Sequence, residues 1–266
     1  MIATLSAVAG GAALLGASAR WNWWRPPTAG LPVLMYHKVG DCPKGSQLAK
    51  LWVSPRDFRR QLDYLKRHGY TPLLFSELGR RPMPEHPVLI TFDDGYANNF
   101  EVAFPILQEL KMKANIFLVY ETVDQHNVWH DPASEPWQRM LTWNQVERMQ
   151  ASGLVEFGSH TMRHPNLARI ALDQVRWEIF ESKKRLEAKL GRPMLGFAYP
   201  YGAGAFVPAV RQLARDAGYA YDFSIKQGIS PWPWDPASGA LKRLLIRGDD
   251  FMLDFHLNMT RGRARL

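Results

Sequence analysis

The chain has 266 residues, 46% hydrophobic and 22% charged, with a net charge of +8 at pH 7 and a single cysteine, Cys42. Such a composition suits one folded α/β core with a short appendage, and it excludes a largely disordered chain and any internal disulfide. The positive charge favours an anionic partner, a phosphate-bearing substrate or a membrane surface, over nucleic acid, for which no recognition motif is present.

Residues 2–19 form an uncharged, Ala/Gly-rich run at the lower length limit for spanning a bilayer. Arg20, Trp21, Trp23, Trp24 and Arg25 follow it as an interfacial belt would. Charge after the run and none before it predicts an inner-membrane tether with the remaining chain on the cytoplasmic side. The alternative is a cleaved export signal ending at Ala17-Ser18-Ala19, with an exported, periplasmic domain. Residues 1–25 are therefore read as an anchor or signal-like segment, and residues 31–266 as the folded domain.

Residues 31–39 read as the first core strand, with His37 near its C-terminal end, either lining a substrate pocket or holding a loop. Residues 41–52 have loop composition, and Ser54-Pro55 opens a helix that Gly69 stops. A buried strand runs from 87 to Phe92 and ends in Asp93-Asp94-Gly95. A helical pattern over 97–110 is interrupted by Pro105, and a strand follows at 114–120. The segment 121–137 matches neither period, carries His126, His130 and Asp131, and reads as a solvated rim loop.

A capped helix at 142–150 leads to a strand at 154–158, and 173–190 is the longest helix, to which no catalytic role falls. A short strand at 195–200, a helix at 206–217 and strands at 219–225 and 241–246 bring the strand count to about seven. Trp232 and Trp234 lie on a proline-rich loop between the last two strands, as sugar-stacking platforms on the rim or as caps on the core. His256 is on a final helical run. Regular alternation of strand and helix predicts a parallel α/β architecture.

Two clusters carry the chemistry. Asp93 and Asp94 are adjacent on a strand, so their side chains diverge unless the chain turns, and Gly95 permits that turn. One carboxylate is then available to a metal and the other to act as a base. Past the strand at 154–158, His160 and His164 stand four apart, which on one helical turn brings both rings to one ion. Two imidazoles and one carboxylate, Asp94, make a three-ligand site with an open position, the pattern of a hydrolytic zinc site.

Thr91-Phe92-Asp93-Asp94-Gly95, His160-Thr161-Met162-Arg163-His164 and Ala198-Tyr199-Pro200-Tyr201-Gly202 resemble, in order, the first three motifs of the NodB-homology polysaccharide deacetylases, carbohydrate esterase family 4. The resemblance covers residues 31–250 and implies a distorted (β/α)7-type barrel. It implies Asp93 as general base, Asp94, His160 and His164 as metal ligands, and the backbone N–H of Tyr201 as oxyanion donor, with His37, Pro200, Tyr201 and Arg247 facing the substrate. Two departures stand out. Ala198 occupies the place where many members carry an arginine that orients the base, and no Leu-x-His motif supplies an acid, Arg247 or Asp249 standing near that position.

The expected activity is metal-dependent removal of an N-acetyl group from an N-acetylhexosamine. The membrane-proximal N-terminus and basic charge favour a polyprenyl-phosphate-linked amino sugar of lipopolysaccharide or lipid A modification. An exported polymer, β-1,6-linked poly-N-acetylglucosamine or peptidoglycan, is the alternative, and a non-catalytic carbohydrate-binding pseudoenzyme the alternative of another class.

Overall fold

A computed structural model describes residues 21–265, so the apolar run at 2–19 lies outside the described residues. The strands in chain order are β1 (Val33–Tyr36), β2 (Lys38–Val39), β3 (Trp52–Val53), β4 (Thr71–Pro72), β5 (Pro87–Phe92), β6 (Ala114–Leu118), β7 (Val155–Ser159), β8 (Gly196–Ala198), β9 (Tyr221–Gln227) and β10 (Leu241–Leu245). The helices are α1 (Pro55–Arg67), α2 (Phe104–Leu110), α3 (Trp143–Ala151), α4 (Leu172–Leu190), α5 (Pro208–Asp216) and α6 (Met252–Arg261). None of these helices is long and apolar enough to cross a membrane.

Seven strands close into a parallel barrel in the order β1, β10, β9, β8, β7, β6, β5 and back to β1, while β4 adds to the far edge of β5. This is the distorted (β/α)7 architecture expected from the motifs. Its irregularity lies between β9 and β10, where the register shifts between Leu241 and Arg243.

The barrel strands read as unbroken apolar runs because both faces are buried. Leu34, Ile90, Ile116 and Phe197 join the larger core beneath the helices, and Val33, Leu89, Phe117, Phe223 and Leu241 form a second core within the barrel. Burying each such side chain stabilises the fold by about 1.5–3 kcal/mol. Inside, the rings of Phe75, Phe117 and Phe223 stack with centroids 5.3–5.4 Å apart. Gly158 and Gly196 make room for them: a Cβ at either would lie 2.7 Å from the Phe117 or Phe75 ring.

Local signals explain the element boundaries. Ser54 Oγ accepts from the Asp57 N–H at 3.1 Å to start α1. Thr142 and Gln145 exchange side-chain and backbone hydrogen bonds of 3.2 and 3.0 Å to start α3. Pro105 does not break a helix. One wide π-type turn, Asn99–Ala103, precedes it and Pro105 sits in the first turn of α2, where its missing N–H costs nothing.

Trp232 and Trp234 are far from the rim that holds the motifs. Ser230 bridges to Leu31 at the entry to β1, so the loop returns to the opposite end of the barrel. There both rings pack on Tyr221 and the inner core, leaving the core-cap reading and not the sugar-stacking one.

Candidate active site

The motif residues gather where β1, β5, β7 and β8 end. At the end of β5 the chain turns through Asp94 (φ 74°) and Gly95 (φ 83°), which swings the Asp94 carboxylate to the same side as Asp93. A side chain at Gly95 would collide with Leu118, 2.8 Å away. His160 and His164 are not on a helical turn as their spacing suggests. The connection after β7 is irregular, with Thr161 and His164 both left-handed at φ 74° and 64°.

Even so, the two rings converge. His160 Nε2 and His164 Nε2 lie 3.4 and 3.2 Å from Asp94 Oδ1, and the three donor atoms are within 4.8 Å of one another. His160 Nδ1 is 2.8 Å from the Ala198 carbonyl, an acceptor only, so that nitrogen carries a proton and Nε2 is the atom turned to Asp94. Burial pushes the His164 ring below its ordinary range, and Asp94 offsets this only in part. Burial alone would raise the Asp94 carboxyl, but the facing His160 and His164 rings hold it well below its ordinary range. Two ring nitrogens converging on one carboxylate oxygen form a donor set that fits a divalent cation and leaves part of its coordination open.

Asp93 is held differently. Arg243 on β10 meets it with a two-pronged pair, Nη1 to Oδ1 at 2.5 Å and Nη2 to Oδ2 at 2.8 Å. The Arg243 side chain is fully buried, its Nε donates to the Ser224 carbonyl at 2.9 Å, and its guanidinium lies 5.6 Å above the Phe117 ring. Burial would lift the Asp93 carboxyl; Arg243 first, then His160 and His37, outweigh it and keep it below its ordinary range. His37 Nε2 is 4.0 Å from Asp93 Oδ2, and its Nδ1 has no hydrogen-bond partner among the described residues. Its backbone carbonyl accepts from Asn99 Nδ2 at 2.9 Å. Burial pushes the His37 ring down, and Asp93 and Asp94 offset this only in part.

A cavity of about 210 Å³ joins these groups, lined by His37, Asp93, Asp94, His160, His164 and Tyr201 among others. Tyr201 is left-handed at φ 57°, and its ring packs edge-on to His164 at 4.6 Å. Pro200 is buried behind it.

A family model for polysaccharide deacetylases matches residues 80–221. The chain belongs to the polysaccharide deacetylase family. It is 28% identical over 208 residues to YxkH of Bacillus subtilis, which bears a polysaccharide deacetylase name; the match covers 76% of this chain and 67% of YxkH. It is 26% identical to the poly-β-1,6-N-acetyl-D-glucosamine N-deacetylase of Staphylococcus aureus, covering 75% of this chain and 69% of that protein. The crystal structure of BC0361, a polysaccharide deacetylase from Bacillus cereus, superposes with a TM-score of 0.75 at 29% identity, covering 87% of this chain and 69% of that one. Family and geometry together make the protein a hydrolase of the deacetylase type with a site able to bind a metal.

Within this deacetylase framework one expectation changes, that for Arg247, and two residues left open by the motifs find their places. The arginine absent at Ala198 has a counterpart in Arg243, which reaches the base from another strand. Arg247 does not line the pocket. It turns into an ion pair with Asp249, with bonds of 2.9 and 3.0 Å, and borders a separate cleft with Asp250 and Arg265. His256 is also elsewhere, its Nδ1 2.8 Å from the Tyr64 hydroxyl.

The segment 121–137 is closer to the chemistry than its sequence suggests. Trp129 stacks on His164 with centroids 4.3 Å apart, and His130 lines the cavity beside it. His126 instead takes part in a bridge to Arg139.

The longest helix, α4, supports the site after all. Its buried Glu178 accepts the N–H groups of Met162 and Arg163 on one oxygen, Oε2, at 2.8 and 3.0 Å. Its Ser182 accepts from Ser159 Oγ at 2.8 Å, and Ser159 Oγ accepts from the Thr161 N–H at 3.2 Å. Burial pushes the Glu178 carboxyl up, partly offset by those two N–H groups. Glu178 is thus a positioning residue for the loop between the two histidines. Glu178→Ala should weaken metal affinity about 10–100-fold, read by competition with a chromogenic chelator. Glu178→Gln, which keeps an oxygen for both N–H groups, should recover most of it; unchanged affinity in the alanine variant would remove α4 from this role.

Proposed function

We propose that the chain removes N-acetyl groups from a polymer of β-1,6-linked N-acetylglucosamine, with zinc held by Asp94, His160 and His164. The observation that carries this reading is the pairing, in one small cavity, of a three-donor cation site with an ionised carboxylate, Asp93, that does not join it. The polymer is supported by the Staphylococcus aureus relative, a poly-β-1,6-N-acetyl-D-glucosamine N-deacetylase by name. The lipid-linked amino sugar expected from the sequence has no such support. Against a carbohydrate-binding pseudoenzyme stands the complete set of donors and base.

A divalent ion held by Asp94, His160 and His164 would supply Lewis acidity, polarising an amide carbonyl and lowering the pKa of a water. Asp93, ionised and fixed by Arg243, takes that water's proton as it attacks. Tyr201 lines the cavity, and its N–H would donate to the oxygen that gains charge. Protonated Asp93, its acidity strengthened by the paired guanidinium, would pass its proton through one bridging water to His37, 4.0 Å away. His37 then protonates the departing amine, so the water proton ends on nitrogen and the hydroxyl on acetate.

Purified protein given short β-1,6-linked N-acetylglucosamine oligomers and zinc should release acetate, and no release across divalent metals would defeat the reading. His37→Ala should cost about 10²-fold or more on the amide but little on an aryl acetate ester, whose leaving group needs no proton. Equal losses on both substrates would deny His37 the role of acid.

A further inference from the structure

Among the described residues the large apolar side chains left exposed are concentrated at one end of the molecule. Apart from Trp23 and Trp24, they lie in the C-terminal half of β9, in the loops that leave β6, β8 and β10 at their C-terminal ends, in the first two turns of α4 that follows β7, or in the first turn of α6 that follows β10. Examples are Val128 after β6 (58% exposed), Leu172 after β7 (53%), Phe206 after β8 (64%), Ile225 on β9 (46%) and Phe251 after β10 (64%). These five strands are consecutive neighbours in the barrel. The exposed residues therefore form an arc around the end at which the catalytic cavity opens. Single exposed apolar residues need no explanation, but a grouping on one face marks an interaction surface.

The chain also enters at this end. Trp21 Nε1 donates to Asp254 Oδ1 at 2.9 Å, in the first turn of α6 just past β10, and the Asn22 N–H donates to the Ala264 carbonyl at 2.9 Å. The residues before Trp21 are the uncharged run at 2–19 and Arg20. A sugar chain would be met by flat rings able to stack on it. Five of the ten residues in the arc, Val128, Leu172, Val207, Ile225 and Leu253, are branched aliphatics with no flat face, which suit hydrocarbon.

We infer that the active-site end of the barrel docks on an anionic lipid bilayer, with the segment 2–19 as tether and the apolar arc as footing, so that the cavity opens toward the membrane surface. The inference rests on the proposed function only for which cavity is the catalytic one. Apolar contact of this kind adds to electrostatic attraction between a chain of net charge +8 and anionic headgroups, which weakens as salt rises.

The test uses the full chain with Cys42→Ser and one new cysteine for a bimane label: Phe206→Cys, Phe251→Cys or, at the opposite end before β5, Arg81→Cys. Each is mixed with phosphatidylcholine vesicles containing phosphatidylglycerol, with or without brominated acyl chains. Brominated lipid should quench the labels at 206 and 251 severalfold more than the label at 81. Comparable quenching at 81, no association with vesicles, or shielding of 206 and 251 by soluble polymer and not by vesicles would overturn it. Acetate release from soluble oligomers is measured alongside; its absence in every variant and in the parent counts against the catalytic reading, while the quenching pattern decides the docking face independently.

Discussion

Asp93→Asn should lower deacetylation by about 10²–10⁴-fold while metal content stays at the parent level. Asp93 is kept out of the cation site by its own pair with Arg243, whereas Asp94 faces both histidines. An amide in place of Asp93 keeps the shape but cannot take a proton from water. His160→Ala is the contrasting case, expected to lose metal and activity together. Metal analysis beside acetate release separates the two variants, and a thermal melt shows whether either has unfolded. Near-parental turnover in Asp93→Asn with metal bound would remove Asp93 as the base.

Arg243→Met should destabilise the protein by about 3–5 kcal/mol at pH 7, because a buried carboxylate would lose its only two-pronged partner. The sign follows from the Asp93 pKa, which lies below the ordinary value in the folded protein. The stabilisation is therefore complete above the usual carboxylate range near pH 4 and fades as the pH falls through the lowered value. Without Arg243 burial prevails and the carboxyl rises, so the acid limb of the rate profile should move to higher pH. Urea unfolding and a pH–rate profile read the two effects. An unchanged limb would mean that Arg243 does not tune the base.

The strands and the donor set were legible because each leaves a local trace: apolar runs buried on both faces, an Asp-Asp-Gly turn, two histidines at short spacing. The helical turn suggested by that spacing was wrong because Ser159, Glu178 and Ser182 hold the loop in left-handed conformations instead. Arg243 left a weaker trace. It lies two residues after Leu241, an inner-core residue, so a period of two aims it into the barrel, but its partner is 150 positions away in sequence. Trp129 sits in a stretch with no period, and the path of Trp232 depends on a bridge between Leu31 and Ser230 that no local pattern announces.

The aromatic plug of Phe75, Phe117 and Phe223 also governs traffic. It fills the barrel beneath Arg243, so the catalytic chamber is a cul-de-sac without a rear exit. Incoming water, the acetamido group and departing acetate share one doorway, across which the sugar chain must lie during reaction. On the proposed polymer, water would have to be seated before the sugar arrives, and acetate would leave once the chain lifts or slides. Turnover along a polymer is then a series of strokes, each ended by movement of the product chain off its own exit.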